Sequence, residues 1–347
     1  MPGRFFRTIW TATGAGALLM TGPALSADAY IRVVDVGAGL CVVAVVPGGH
    51  AMLYDAGRGQ PLCYNAVREL VPSGRLDLVV LSHSDTDHIR ELPAILERNV
   101  AARIIHPGDP RGPVVDDVRE FIEAEEDNGA EILDLSQQTV PFGRSFAIGE
   151  ATATFVAGWS DGNQTRMDGD PSLASRTSVR NNALSIVIRV EYGGHSVLLT
   201  GDTVGRLDSP DDTLCQYSER RMVANAGTVP IRSEVLVGQH HGADNSTSNC
   251  FIRAVRPEYV VFSAGHHYRH PRQSAVDRLV SNGVDPSRIF RTDRGDHEGG
   301  RGRTREWITG SLVGCHDEPG DDDVEIILPE EPAAAITVRY RLPSTGC

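Results

Sequence analysis

Four side chains able to bind a divalent metal fall within six residues, His83-Ser84-Asp85-Thr86-Asp87-His88, where an apolar strand ends and a helix begins. Leu78 to Leu81 reads as a short buried strand, and Ile89, Leu92, Ile95 and Leu96 mark one face of the following helix. A loop at the carboxyl end of a strand can turn successive side chains inward together, whereas a strand sends neighbours to opposite faces. Two imidazoles and two carboxylates suit a pair of ions roughly 3.5 to 4 Å apart, a separation typical of hydrolytic sites that activate water and hold an anionic oxygen. The bland counterpart is a solvated loop that caps the helix, since Asp85, Thr86 and Asp87 are all good N-cap residues.

Three later clusters repeat the theme at strand ends. Leu198-Leu199-Thr200-Gly201-Asp202 puts one carboxylate at a strand tip, where it can bridge two metals whose other ligands lie on one side. Gln239-His240-His241-Gly242 follows the apolar run Glu234 to Val237. Adjacent side chains diverge, so one histidine of this pair suits metal and the other substrate, and the spacing leaves open which. His266-His267-Tyr268-Arg269-His270-Pro271 follows Tyr259 to Phe262, and Pro271 is expected to open the next helix with His270 at its entrance.

These loops need a layered scaffold. Strands are expected at Ile31 to Val36, Leu40 to Val46, Ala51 to Tyr54, Ile104 to His106, Leu184 to Glu191, Ser196 to Thr200, Val235 to Val237, Tyr259 to Phe262 and Arg288 to Phe290. Helices are expected at Leu62 to Leu70, Val114 to Glu126, Thr247 to Val255 and Gln273 to Val280. The polar stretch Gly158 to Asn182 reads as a long loop, Gly314 to Pro332 as an acidic loop, and Ala335 to Arg341 as a terminal edge strand. Sheet and helix in both halves of 347 residues suggest one α/β domain whose halves face each other across a shared site.

Residues 1–27 read as a secretory signal, with Arg4 and Arg7 before a weakly apolar run and small residues near Ala27. No later run is long enough to span a bilayer, so no stable membrane insertion is expected once the signal is cleaved, and the protein is expected to be periplasmic or secreted. Without that segment the chain keeps 31 basic and 46 acidic residues, a formal charge of −15. So acidic a chain argues against broad, tight binding of duplex DNA, which depends on Lys and Arg neutralising phosphates. Cys41, Cys63, Cys215, Cys250, Cys315 and Cys347 lack zinc-site spacing and suit disulfides in an oxidising compartment. Arg291, Arg294, Arg301, Arg303 and Arg305 form the one dense basic stretch, a phosphate site or a solvated loop.

The ordered set Asp35 to Gly39, Leu53 to Gly57, Leu81 to His88, Asn181 to Ser185, Leu199 to Asp202, His240 to Gly242, His270-Pro271 and Arg291 to Asp293 resembles the metallo-β-lactamase superfamily, specifically the soluble hydrolase domain of ComEC-type competence proteins. The resemblance implies a four-layer αββα sandwich over residues 28–313, followed by an acidic segment, 314–347. It implies that His83 and Asp85 serve one metal, Asp87 and His88 the other, that Asp202 bridges, and that His240 and His270 complete the shells. Asn181 and Asn182 match the family's Asn pair, which orients a ligand or the site loop. Asp85 stands where many members have His, and this oxygen donor widens the metal choice for two divalent ions to Zn²⁺ or Mn²⁺.

The function expected on this basis is an exported metal-dependent hydrolase cleaving a phosphodiester, with single-stranded DNA or a small molecule as substrate. Asp87 with the metals, and His241 or His270 as proton donor to the leaving group, carry the chemistry. Hydrolysis of a carboxylic ester, lactone or β-lactam is the alternative enzyme, and a metal-binding module without turnover is the alternative outside enzymes.

Overall fold

The computed structural model describes residues 27–108, 113–158, 177–206, 214–294, 305–307 and 320–342. The signal segment expected over 1–27 therefore lies outside the described residues except for Ala27, as do Cys315 and Cys347. In chain order the first half comprises β1 (Ala29–Val33), β2 (Cys41–Val46), β3 (His50–Ala56), α1 (Leu62–Leu70), β4 (Arg75–Leu76) and β5 (Leu78–Val80). It continues with α2 (Thr86–Ile89), α3 (Leu92–Leu96), β6 (Val100–Ala101), β7 (Arg103–His106), α4 (Pro113–Asp127) and β8 (Glu131–Asp134). The second half comprises β9 (Ser145–Ile148), β10 (Ala151–Ala157), α5 (Thr177–Ala183), β11 (Val187–Tyr192), β12 (His195–Leu199), α6 (Tyr217–Asn225) and β13 (Val235–Val237). Then come α7 (Asn249–Val255), β14 (Tyr259–Phe262), α8 (Gln273–Ser281), β15 (Ile289–Arg291), β16 (Val324–Leu328) and β17 (Thr337–Tyr340).

Two large sheets result. One runs β17-β16-β1-β2-β3-β5-β7-β8, the other β15-β14-β13-β12-β11-β10-β9. In each, antiparallel hairpins lead into parallel strands: β3, β5, β7 and β8 in the first, β12, β13, β14 and β15 in the second. The central strands are apolar on both faces, which only a four-layer arrangement can bury. In β2, Val42 and Ala44 enter the core between the sheets while Cys41 and Val43 face the helices of the first half. In β13, Val235 and Val237 join that same inner core and Leu236 packs outward with Phe251 and Ile252 of α7. The αββα sandwich expected from the sequence is the observed fold. Among the described residues, no helix is long and apolar enough to cross a membrane.

Several local expectations need correction. The helix after the ligand loop is two short helices, broken at Arg90-Glu91 with Pro93 near the start of the second. The polar stretch read as a loop to Asn182 ends in helix α5, so both asparagines sit on helical backbone. Pro271 lies two residues before α8 instead of opening it, and Arg272 is the N-cap. The acidic stretch read as a loop holds strand β16, whose Val-Glu-Ile-Ile-Leu run pairs antiparallel with β1 and carries β17 as the sheet edge. Disulfides Cys41–Cys63 and Cys215–Cys250 tie β2 to α1 and the chain before α6 to α7.

Asp35 locks the exit of β1 to the returning chain. It is 2% exposed; its backbone N–H donates to Asp323, and its carboxylate accepts from the N–H groups of Gly37 and Gly320. Burial, then the charge of Asp293, push its pKa up to about 7. A carboxyl with a raised folded pKa favours the fold while protonated. Stability therefore falls as pH rises from the unfolded value of about 3.9 through about 7, by roughly 4 kcal/mol at most. Asp35→Asn should flatten that decline in urea titrations compared between about pH 5 and pH 8. An equally deep decline in the variant would rule Asp35 out as its source.

Candidate metal centre

Every candidate ligand stands at the carboxyl end of a parallel strand: the His83 to His88 loop after β5, Asp202 after β12, His240-His241 after β13 and His270 after β14. Crevices at such strand ends are where open α/β sheets bind ligands. Close packing brings the two sheets' loops together. A Cβ on Gly201 would sit 2.6 Å from the Ser82 Cβ, and its φ of +51° lies in the left-handed region. Asp55, His240 and His241 also hold positive φ (58°, 47° and 55°), conformations costly for non-glycine residues that persist where surrounding contacts enforce them.

The donors converge on Asp202, which is 4% exposed. Its Oδ1 lies 3.3 Å from His88 Nε2 and 3.4 Å from His241 Nε2, and Asp87 Oδ2 lies 3.8 Å from His241 Nε2. Its Oδ2 lies 3.9 Å from His83 Nε2 and 3.7 Å from His240 Nε2, while Asp85 Oδ2 is 3.7 Å from His83 Nε2. One carboxylate thus faces two donor groups. His83, His88 and Asp202 form one tight set of ligand atoms, and Asp87, His88 and His241 another.

Outward hydrogen bonds orient the imidazoles. His88 Nδ1 donates to Asp55 Oδ2 at 2.7 Å, and His241 Nδ1 to the Ser263 carbonyl at 2.7 Å. His240 Nδ1 donates to Asn245 Oδ1 at 2.8 Å. The Ser82 hydroxyl donates to Asp55 Oδ2, so its oxygen is left to accept from His83 Nδ1 at 3.0 Å. With each Nδ1 engaged outside, each Nε2 turns to Asp202, as imidazoles do when held to receive a metal. His83 Nε2 and Asp202 Oδ1 are buried without any hydrogen-bond partner, as are the amide oxygens of Asn181 and Asn182. Buried polar atoms without partners are costly, and a cation satisfies the first two directly.

The electrostatics agree. Burial opposes ionisation of Asp202, but His241, His88 and His240 outweigh it and hold the carboxyl well below its usual range. Burial likewise disfavours a charged His88, yet Asp202 and Asp55 on either side raise its pKa well above the imidazole value. A cation binding here replaces that proton. Asp85 is held down to about 2, burial being outweighed by His83, with Asn181 Nδ2 donating to its Oδ1 at 3.2 Å.

His83, Asp85, Asp87, His88, Asp202, His240 and His241 are therefore brought together. Asp85 occupies the N-cap position of α2 but makes no capping hydrogen bond, so the bland reading of this loop finds no support at that residue. His241, read as a candidate substrate contact, has the Nε2 that joins Asp87 and His88. His240, read as a ligand, already accepts from Asn182 Nδ2 at 3.0 Å. His270 enters neither set; its ring lies 6.0 Å from His240 and 6.3 Å from His241, and burial, then His241 and His240, hold its pKa down to about 2. Of the basic stretch, Arg291 is fully buried against Glu306 and Arg294 is paired with Asp322, so both serve the fold; 295–304 lie outside the described residues. Asp55, Ser82 and Ser185, whose Oγ accepts from Asp202 N at 3.1 Å, were not assigned roles from sequence. The one signal for Asp55 was Asp-Ala-Gly closing a buried strand.

A family model described as the metallo-beta-lactamase superfamily matches residues 34–154. With the sandwich and its donors, the match defines the chain as a metal-dependent hydrolase carrying a metallo-beta-lactamase domain. The chain is similar to competence protein ComA of Neisseria gonorrhoeae, 29% identical over 270 residues that cover 77% of this chain and 31% of that protein. It is also similar to ComE operon protein 3 of Bacillus subtilis, 26% identical over 299 residues covering 80% of this chain and 33% of that protein. The chain thus spans about a third of the length of these relatives. Among solved structures, the metallo-beta-lactamase fold protein YhfI from Bacillus subtilis aligns with a TM-score of 0.45 at 13% identity, over 76% of this chain and 97% of that one.

Proposed function

We propose that this protein is an exported phosphodiesterase that uses two divalent ions, Zn²⁺ or Mn²⁺. The observation that carries the reading is the double-faced Asp202, with Asp87, His88 and His241 on one side and His83, Asp85 and His240 on the other. When bound, the ions supply Lewis-acid polarisation of a phosphoryl oxygen and activation of water. The protein's own contribution is to orient donors: Asp55 and Ser263 fix the tautomers of His88 and His241, and Asn181 restrains Asp85. Four carboxylate-bearing or imidazole-bearing loops present three carboxylates, a hard donor set that favours phosphoryl over carbonyl chemistry and admits Mn²⁺. Similarity to proteins named for competence supports nucleic acid as the source of the phosphodiester. His270, beside both strand-end histidines, is positioned at the leaving-group side. Export rests on the basic and apolar start of the chain and on two disulfides in the described residues.

The test is turnover of bis-p-nitrophenyl phosphate by the full chain loaded with Mn²⁺ or Zn²⁺, beside a β-lactam and a carboxylic ester. Metal-dependent phosphodiester cleavage that drops roughly 10³-fold in Asp87→Ala is expected. Turnover of the carbonyl substrates alone would move the protein to the esterase, lactonase or β-lactamase class.

A further inference from the structure

Beyond the donor set, one exposed aromatic stands at the mouth of the centre. Tyr268 is 51% exposed, on the turn His266–Tyr268 after β14. Its ring packs perpendicular to His267 at 4.6 Å and lies 6.1 Å from His270, whose ring is in turn beside His240 and His241. The turn is anchored: a Cβ on Gly265 would meet Ala38 N at 2.5 Å, so the segment is pressed onto the Gly37 to Gly39 loop. Arg269 follows with φ +57°, exposed and without an ion-pair partner among the described residues. A left-handed conformation at a bulky residue marks a position held for a reason other than local preference.

We propose that Tyr268 and Arg269 form a recognition step, Tyr268 stacking an unpaired nucleobase next to the scissile phosphate and Arg269 pairing with the adjoining phosphate. The proposal rests on the phosphodiesterase reading and adds its substrate class, single-stranded nucleic acid. An aromatic face held rigid beside a cation is the unit that single-strand binders repeat, and it accepts any base because every base has a π-face. A single ring is not the aromatic cage that quaternary ammonium groups require. Bases within a duplex are already stacked, and a chain of net charge −13 offers no broad cationic track for two backbones. A local clamp on one strand fits that charge. Two ring contacts separate Tyr268 from the strand-end histidines, so a base held there leaves its own phosphate near the donors.

The test is equilibrium binding of a short phosphorothioate single strand carrying 2-aminopurine to the metal-loaded full chain, read by fluorescence quenching. The wild type should quench the base and bind it at least about tenfold tighter than an abasic strand, and duplex should compete poorly. Tyr268→Ala should weaken binding about 5- to 100-fold and abolish the preference over the abasic strand, while Tyr268→Phe keeps both. Arg269→Ala should lower the slope of log affinity against log salt by about 0.7, the value for one single-strand phosphate contact. Thermal melting confirms that the variants fold. Equal binding by wild type and Tyr268→Ala overturns the proposal. Cleavage of bis-p-nitrophenyl phosphate without base-dependent strand binding leaves the phosphodiesterase reading standing and this inference refuted; Tyr268-dependent binding without such cleavage does the reverse.

Discussion

Asp202→Ala is expected to lower metal-dependent kcat/KM by about 10³-fold or more and to leave the purified chain largely without bound metal. Each oxygen of this carboxylate faces a different donor group, so its loss strikes both at once. What remains is four imidazole Nε2 atoms turned toward one point, with those of His88 and His241 only 3.4 Å apart. No carboxylate of comparable burial replaces it, since Asp85 and Asp87 each stand on one side and are partly exposed. Asp202→Asn should fail almost as badly. It keeps the shape and the bond from Ser185 can be re-formed, but it removes the charge that balances two cations. Metal content by elemental analysis, measured beside turnover, separates this from a defect in chemistry alone. A variant that holds two ions and turns over near the wild-type rate would sink the bridging role.

Much of this centre is legible in the chain because its ligands obey a local rule: each follows a short apolar strand and precedes a glycine or a helix start. Val235 to Val237 and Tyr259 to Phe262 match the observed strands residue for residue, since a strand buried on both faces shows as an unbroken apolar run. What escaped depends on backbone angles or distant partners. The division of labour between His240 and His241 is set by two consecutive left-handed residues, which no spacing encodes. Strand β16 was masked by four acidic and proline-bearing flanks, although its own five residues are strand-like and its pairing with β1 spans nearly the whole chain. Arg291 looked like part of a cationic surface because composition cannot tell a solvated arginine from one buried against Glu306.

Asp55 illustrates the same limit with the larger consequence. It lies fully buried at the end of β3, and its carboxylate accepts three hydrogen bonds: Ser82 N at 2.6 Å, Ser82 Oγ at 2.7 Å and His88 Nδ1 at 2.7 Å. Through Ser82 it also orients His83, so one carboxylate behind the centre fixes a ligand on each side of Asp202. Partners of this kind are worth 10- to 100-fold in metal affinity or activity in comparable sites. Asp55→Ala is expected to weaken metal binding by about that factor and to cost folding stability as well, because Ser82 N and the two hydroxyl and imidazole donors lose their acceptor inside the protein. Asp55→Asn separates the two effects. It retains one acceptor oxygen at the same volume but removes the charge that favours donation from His88 Nδ1, so stability should recover further than metal affinity. Chelator competition and urea unfolding, run on both variants, read the two quantities independently. Metal affinity unchanged in Asp55→Ala would mean that packing of the ligand loop against β3, and not this hydrogen-bonded carboxylate, sets the orientation of His83 and His88.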